Sequence, residues 1–181
     1  MVRILAPAFS NRSLIVFGGL LDDNKGGEFS IKPTSEKFST HQYYEENTNV
    51  LCTEFEMGED KFRVTDFAPR FHQSDRYFKP LMLVRKIEPL SGAPSIKVAC
   101  EPMGDYGESK PQKFMGSNHI RYIGNDESMR LTTNIPLNYV MDQEAFVLNE
   151  TKYLVLTYGI PLEAPLVSTA EAFLDQTTRY W

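Results

Sequence analysis

The fold is decided by residues 49–66, which read NVLCTEFEMGEDKFRVTD. Apolar and polar side chains alternate on both sides of the corner at Gly58, which is typical of strands with one buried face. The apolar members of this alternation are Val50, Cys52, Phe55, Phe62 and Val64. Gly58 supplies the positive φ angle that such a corner often needs. The stretch therefore predicts a β-hairpin.

Short apolar runs separated by turn residues continue along most of the chain. Residues 29–31 predict one strand that ends at Pro33. Three pairs of runs flank turns and each predicts a further hairpin, namely 81–87 with 96–100, 118–123 with 129–133, and 145–148 with 153–158. Strands and turns that alternate at roughly 8 to 12 residues favour an all-β fold, an antiparallel β-sandwich.

The C-terminal end has a helical pattern instead. Ser168 and Glu171 have the spacing of a capping box, which predicts that a helix begins at this point. The residues that follow at helical intervals are Phe173, Leu174, Thr177 and Trp181. We therefore expect a β-sandwich domain over residues 1–167 and a helical linker over residues 168–181. No stop signal follows and two large aromatic residues end the chain, so we expect a continuation that covers them.

Length and composition exclude several classes of protein. The chain has 181 residues, which is about one domain with a substantial core. Nineteen Lys and Arg against 24 Asp and Glu give a net charge of −5, which provides no basic field for nucleic acid.

Cys52 and Cys100 lie in apolar runs and are expected to be buried free thiols. The sequence shows no signal peptide. It also has no apolar run of the roughly 20 residues that a membrane span needs. We expect a cytoplasmic protein that binds neither nucleic acid nor membrane.

The motifs of the common enzyme classes are absent from the sequence. It contains no GxxxxGK[ST], GxGxxG, GxSxG, HExxH or CxxC pattern. The three histidines, His41, His72 and His119, are separated from one another and from the cysteines. We therefore expect no metal site and no cofactor.

Carboxylates are abundant, and a glycosidase needs two of them beside the bond that it cleaves. Glu54 and Glu56 fall on the polar face of the predicted hairpin, as on an ordinary solvated surface. Asp66 alternates onto the same face as Val64, which points inward, and a carboxylate there must be hydrogen-bonded. It is either an acceptor for backbone N–H groups at the strand end before Pro69 or one member of an acid pair.

Aromatic residues with polar groups recur in the first two thirds of the chain. The candidates for contact with a sugar or with another domain are Arg70, His72, Tyr77, Asp105 and Tyr106, and the pair Tyr43 and Tyr44 belongs to the same pattern. Sugar rings stack on aromatic faces, and their hydroxyls bind Asp, Arg or His side chains. Tyr and Arg are also enriched in interfaces. The pattern therefore predicts either a carbohydrate surface or an interface or core.

Five segments occur in an order that points to a known family. They read FGGLLD (17–22), NTNVL (47–51), VTDF (64–67), LVRKIEPLSG (83–92) and, after Pro102, DYG (105–107). Together they resemble the N-terminal domain of glycoside hydrolase family 15, the glucoamylase-like and trehalase-like proteins of bacteria. The resemblance covers nearly the whole chain. The start departs from the family pattern because the Gly-rich strands and the Asp-Trp that usually precede Pro7 are not found, which leaves the sheet edge near residues 4–21 undefined.

The resemblance implies a supersandwich-like β-sandwich that packs against a C-terminal (α/α)₆ barrel. In the family, that barrel carries paired glutamates and performs inverting hydrolysis of α-glucosidic bonds. No position of this chain matches a catalytic motif of the family, so no catalytic residue is assigned.

Two functions follow as expectations. The first is a non-catalytic domain that covers the barrel and shapes its pocket, with the barrel supplied in cis or by a separate gene. The alternative is a stand-alone carbohydrate-binding module for α-glucans or trehalose. A homodimer is a further expectation, because a second copy would bury uncovered apolar surface.

Overall fold

A computed structural model describes residues 26–104, 107–124 and 128–181 of the chain. The described residues form strands and two helices, in the order β1 (Glu28–Pro33), β2 (Ser39–Tyr44), β3 (Leu51–Met57), β4 (Asp60–Phe67), β5 (Phe71–Gln73), β6 (Arg76–Phe78), β7 (Met82–Ser91), β8 (Ser95–Glu101), β9 (Gln112–Met115), β10 (His119–Ile123), β11 (Met129–Thr133), α1 (Leu137–Met141), β12 (Phe146–Val147), β13 (Lys152–Tyr158) and α2 (Leu166–Tyr180). The region near residues 4–21 and the segment 17–22 lie outside the described residues.

The strands form two facing sheets and one separate hairpin. The large sheet has the order β2-β3-β4-β7-β13-β11-β10-β9, and the small sheet has the order β1-β8-β12. All pairings in both sheets are antiparallel. Strands β5 and β6 pair only with each other. The predicted all-β, sandwich-like architecture with a C-terminal helix is confirmed.

Two of the predicted hairpins form as the sequence indicated. In the β3–β4 hairpin, Phe55 lies opposite Phe62 and their rings stack at 4.5 Å between centroids. Gly58 has φ 68 at the corner, in the left-handed region that glycine adopts without strain. Strands β10 and β11 form the other hairpin, with Ile120 opposite Leu131.

The hairpins predicted for 81–87 with 96–100 and for 145–148 with 153–158 are wrong. In both cases the chain passes from one sheet to the other, since β7 and β13 belong to the large sheet while β8 and β12 pair with each other in the small sheet. Alternation and a turn specify that two strands are connected, but they do not specify which strands pair. Where the chain passes from β7 to β8, Gly92 has φ 67, and a Cβ atom there would lie 2.1 Å from Oδ1 and 3.0 Å from Cα of Asp60, so the position favours glycine. The same Oδ1 accepts a hydrogen bond of 2.8 Å from the backbone N–H of Ala93.

The main core fills the space between the two sheets. Its fully buried members include Phe62, Ile87, Ile96, Ile120, Leu131 and Leu154. These side chains come from alternate positions of their strands, as the period of two requires. Burial of this apolar surface is the main source of free energy for folding.

Asp66 and Arg85 form an ion pair inside this core. The Nε atom of Arg85 donates to Oδ1 of Asp66 at 2.7 Å, and its NH1 donates to the carbonyl oxygen of Phe29 at 2.7 Å. The side chains are only 3% and 1% exposed. Desolvation raises the pKa of the Asp66 carboxyl, and the Arg85 guanidinium opposes that rise by favouring the ionised form. The inward position of Asp66 is confirmed, but its partner is a side chain and not the expected backbone N–H groups.

Helix α2 covers the other face of the large sheet. Its Ala170 is buried, and Phe173 and Leu174 pack against a second apolar cluster that includes Val84 and Val155. The helix begins at Leu166, directly after Pro165, and no side chain caps its N-terminus. The predicted capping box is therefore wrong, because Ser168 and Glu171 lie within the helix.

Both cysteines, Cys52 and Cys100, are free and buried, as expected. Burial raises the pKa of Cys100 to about 12 and also raises that of Cys52. Within the described ranges, no helix combines the length and the apolar composition that would let it cross a membrane.

Loss of one partner from the buried ion pair should destabilise the fold strongly. We expect Asp66→Ala to lower the free energy of unfolding by about 3–5 kcal/mol, because it leaves the charge of Arg85 buried without a partner. The double variant Asp66→Leu, Arg85→Met should recover most of that loss. Urea unfolding followed by circular dichroism measures both. The control is Lys61→Ala, which breaks the exposed Lys61–Glu56 pair and should cost less than about 1 kcal/mol. Equal losses of unfolding free energy for Asp66→Ala and Lys61→Ala would contradict the stabilising role of the buried Asp66–Arg85 pair.

The two thiols should resist labelling in the folded chain. A buried thiol with a raised pKa has little thiolate to react, so an aromatic disulfide reagent at pH 8 should modify neither cysteine. Both should react at once in concentrated urea. Rapid labelling without urea would show that one of the thiols reaches solvent.

Candidate functional site

The candidate site is formed where the β5–β6 hairpin meets the C-terminal end of α2. Three apolar rings hold the two elements together. Phe71 and Phe78 stack across the hairpin at 4.8 Å, and Phe173 of α2 lies 5.6 Å from the first ring and 5.1 Å from the second. The backbone N–H of Arg70 also donates to the hydroxyl of Thr177 at 3.2 Å. These contacts fix the hairpin to the helix.

A second group of side chains lies on the opposite, solvent-facing side of the hairpin, because His72 and Tyr77 alternate with Phe71 and Phe78 along the two strands. We call it the aromatic platform; it consists of Arg70, His72, Tyr77, Tyr180 and Trp181. Tyr77 is 54% exposed and Trp181 is 52% exposed. Side chains of this kind combine an apolar face with a polar group, so they can contact sugars or another protein surface.

Ring contacts make the platform continuous. The rings of His72 and Tyr77 are 4.2 Å apart, and Tyr180 lies 5.8 Å from the first and 6.1 Å from the second, perpendicular to the Tyr77 ring. The guanidinium carbon of Arg70 lies 5.6 Å from the ring centre of Tyr180 and 5.8 Å from that of Trp181. Cation–π contacts of this geometry orient the arginine without neutralising it.

The structure brings together three of the five residues named as candidates from the sequence, namely Arg70, His72 and Tyr77. Asp105 and Tyr106 lie outside the described residues. Tyr43 and Tyr44 are on β2, the edge strand of the large sheet, where Tyr43 contacts His41 at 5.4 Å.

Sequence reasoning did not place Tyr180 and Trp181 beside this cluster. The helical spacing predicted that both end a helix, but more than one hundred residues separate them from Arg70. The contact depends on how α2 lies across the sheet, and a sequence pattern does not specify that.

A polar network holds α2 to the sheet beside the apolar contacts. Glu171 accepts hydrogen bonds from the hydroxyl of Tyr153 and from Lys86, the latter at 2.8 Å. Burial alone would raise the pKa of Glu171, but the hydrogen bonds from Lys86 and Tyr153 lower it overall. The ionised form of Glu171 therefore stabilises the docked position of the helix.

Two glutamates of the β3–β4 hairpin, Glu54 and Glu56, are engaged in ion pairs. Glu54 pairs with Arg63 at 2.7 Å, and Glu56 pairs with Lys61 at 2.7 Å. Among the described residues, no three His, Cys, Asp or Glu side chains lie close enough to hold a metal ion.

Fold and site together define a β-sandwich domain whose C-terminal helix carries an exposed aromatic surface. Residues 7–149 match the family described as "Trehalase-like, N-terminal". The chain belongs to this family of trehalase-like N-terminal domains, and the resemblance seen in the sequence is confirmed.

Three curated relatives show the same relationship. The chain is 30% identical to a trehalase of Thermoplasma volcanium over 97% of its own length and 29% of that protein. It is 29% identical to a trehalase of Thermoplasma acidophilum, with 92% of the chain and 29% of the relative covered. It is 30% identical to "Trehalase 1" of Sulfolobus acidocaldarius, with 100% of the chain and 30% of the relative covered. The chain thus spans less than a third of these relatives. No solved structure matches the chain.

Acid should undock α2 by protonating Glu171. A carboxyl whose pKa is lowered on folding contributes stability above its unfolded pKa, and that stability is lost as the pH falls through the folded value. Trp181 is the only tryptophan of the chain and lies at the end of the same helix, so its fluorescence reports on docking. We expect an emission change below pH 4.5, the ordinary pKa of Glu, in the wild-type chain.

Glu171→Gln should remove this acid transition, because its amide does not titrate. The control is Asp175→Asn, which changes a more exposed carboxylate on the same helix, paired with Arg179, and should leave the transition in place. Identical acid transitions in the wild type and in Glu171→Gln would contradict the role of Glu171.

Proposed function

We propose that the chain is the non-catalytic N-terminal β-sandwich domain of a trehalase-type protein of glycoside hydrolase family 15. The observation that carries the proposal is the asymmetry of coverage. From 92% to 100% of the chain aligns with proteins named trehalases, yet it accounts for only 29% to 30% of their length. The catalytic domain, an (α/α)₆ barrel, would be supplied by the part of such a polypeptide that this chain does not cover.

The state of three candidate carboxylates, Asp66, Glu54 and Glu56, supports a non-catalytic role. A glycosidase needs one carboxylic acid and one carboxylate that both reach the substrate. Asp66 is 3% exposed and bound by Arg85, so a sugar cannot reach it. Glu54 and Glu56 are held in ion pairs with neighbouring strand residues.

In this proposal the domain covers and positions the catalytic barrel and shapes one wall of its substrate pocket. The division into a sandwich over residues 1–167 and a helical linker over residues 168–181 belongs to the same proposal. A cytoplasmic location and a homodimer stay predictions from the sequence.

A stand-alone carbohydrate-binding module for α-glucans or trehalose is the second candidate. The aromatic platform favours it, because Tyr77 and Trp181 are half exposed and lie beside the donors of Arg70 and His72. Sugars bind to surfaces of this composition through stacking and hydrogen bonds.

An activity assay tests the first candidate. The 181-residue chain and the full polypeptide encoded by its gene are compared for release of glucose from trehalose and from maltose. We expect activity in the full polypeptide and none in the 181-residue chain. Hydrolysis by the 181-residue chain, lost in Asp66→Asn, would overturn the non-catalytic assignment.

An NMR titration of the 181-residue chain with trehalose and maltooligosaccharides tests the second candidate. Shifts confined to the platform would support a binding module. A spectrum without shifts at millimolar sugar would eliminate it.

A further inference from the structure

We infer that the aromatic platform is the docking face for the C-terminal remainder of the polypeptide, the segment that follows residue 181 in a protein built like the trehalase relatives. The inference rests on the proposed function and adds to it the surface that makes the contact. The occupant is that segment, and neither a sugar nor a second copy of the chain.

The composition of the platform is that of an interface centre. Tyr, Trp and Arg are the residues that most often dominate the binding energy of protein interfaces. Here they form one continuous surface with two half-exposed rings, Tyr77 and Trp181, at its outer side. Isolated exposed aromatics need no explanation, whereas a joined group of them marks a surface for contact.

Arg70 supplies a charge for which a partner is expected. Within the described part of the chain, the only hydrogen bond of its guanidinium goes to the hydroxyl of Tyr180, at 3.4 Å. Its other contacts are with ring faces, so the positive charge is not neutralised. We expect a carboxylate of the docked segment to bind it.

Contacts within the domain hold the platform in place. Phe71, Phe78 and Phe173 hold the hairpin and the helix together, and Thr177 binds the backbone of Arg70. Glu171 adds the polar link from the helix to Lys86 of the sheet. A surface that is already ordered loses little conformational entropy when it docks.

The position of the platform identifies the occupant. Two of its five residues, Tyr180 and Trp181, end helix α2. The matching family is described as N-terminal, and most of each relative lies outside the matched segment. In a polypeptide that continues in this way, the segment after Trp181 starts beside the platform, which gives it a high effective concentration at this face.

Hydroxyl-radical footprinting tests the inference on the full polypeptide encoded by the gene, with the 181-residue chain as reference. Modification of Tyr77 and Trp181 should be roughly ten-fold slower in the full polypeptide, as expected for side chains at the desolvated centre of an interface. Tyr44, which is 64% exposed on β2, is the internal control and should react equally in both.

The outcomes separate the inference from the proposed function. Protection of another surface, with Tyr77 and Trp181 as reactive as in the 181-residue chain, would overturn the inference and leave the proposed function standing. Protection of the platform by trehalose in the 181-residue chain would also overturn it, because the face would then bind sugar. A stop codon directly after Trp181 would overturn the inference and the assignment of a catalytic domain in cis together.

Variants of the full polypeptide give a second, independent measurement. Tyr77→Ala and Arg70→Glu should each increase the radical reactivity of Trp181 several-fold, since the docked segment would bind less tightly. Tyr44→Ala and Arg121→Glu are matched controls on exposed residues of other strands and should change nothing. Circular dichroism of each variant serves as the check that it remains folded. Unchanged Trp181 reactivity in both platform variants would contradict the inference.

Discussion

One buried guanidinium ties the two sheets of this domain together. Arg85 of the large sheet binds Asp66 on the neighbouring strand and, through its NH1, the carbonyl oxygen of Phe29 in the small sheet. It also lies 4.8 Å from the ring centre of Phe29. Two charges without water are costly unless each is fully paired. The β4–β7 register and the approach of β1 must therefore both be correct for the arginine to be satisfied.

The same pair of strands also leads to the exposed site. Asp66 faces the core, the next residue, Phe67, belongs to the cluster under α2, and the chain then passes Pro69 to reach Arg70 of the platform. Because successive side chains of a strand point to opposite faces, the buried Asp66 and the exposed Arg70 lie only a few residues apart in the chain. On the neighbouring strand Lys86 follows Arg85 and holds Glu171 of the helix. The inner face of the large sheet stabilises the domain, while its outer face presents α2 and the hairpin.

Local sequence patterns predicted the strands better than their partners. Period-two alternation identified β3, β4, β10 and β11 and their hairpins, since those contacts are close in sequence. It assigned β7 and β8 to one hairpin because nothing local shows that the chain changes sheets at Gly92. The β5–β6 hairpin was missed because its strands have three residues each, and its turn has Ser74 at φ 54 in place of the usual glycine. The sequence named Arg70, His72 and Tyr77 as candidates from their residue types, and their contact with a sugar or another domain stays a prediction. Tyr180 and Trp181 join the platform only because of the way α2 packs on the sheet, which a local sequence pattern does not specify.

Native-state hydrogen exchange of the 181-residue chain tests most directly whether Arg85 makes the two sheets one cooperative unit. We predict that the slowest amides of β1 and β8 exchange with the same free energy of opening as those of β4 and β7, because the small sheet cannot separate without exposing an unpaired charge. The amides of α2 should exchange through a smaller opening. Exchange of the small sheet at a clearly lower free energy than β4 and β7 would show that the sheets open independently and that Arg85 does not join them into one cooperative unit.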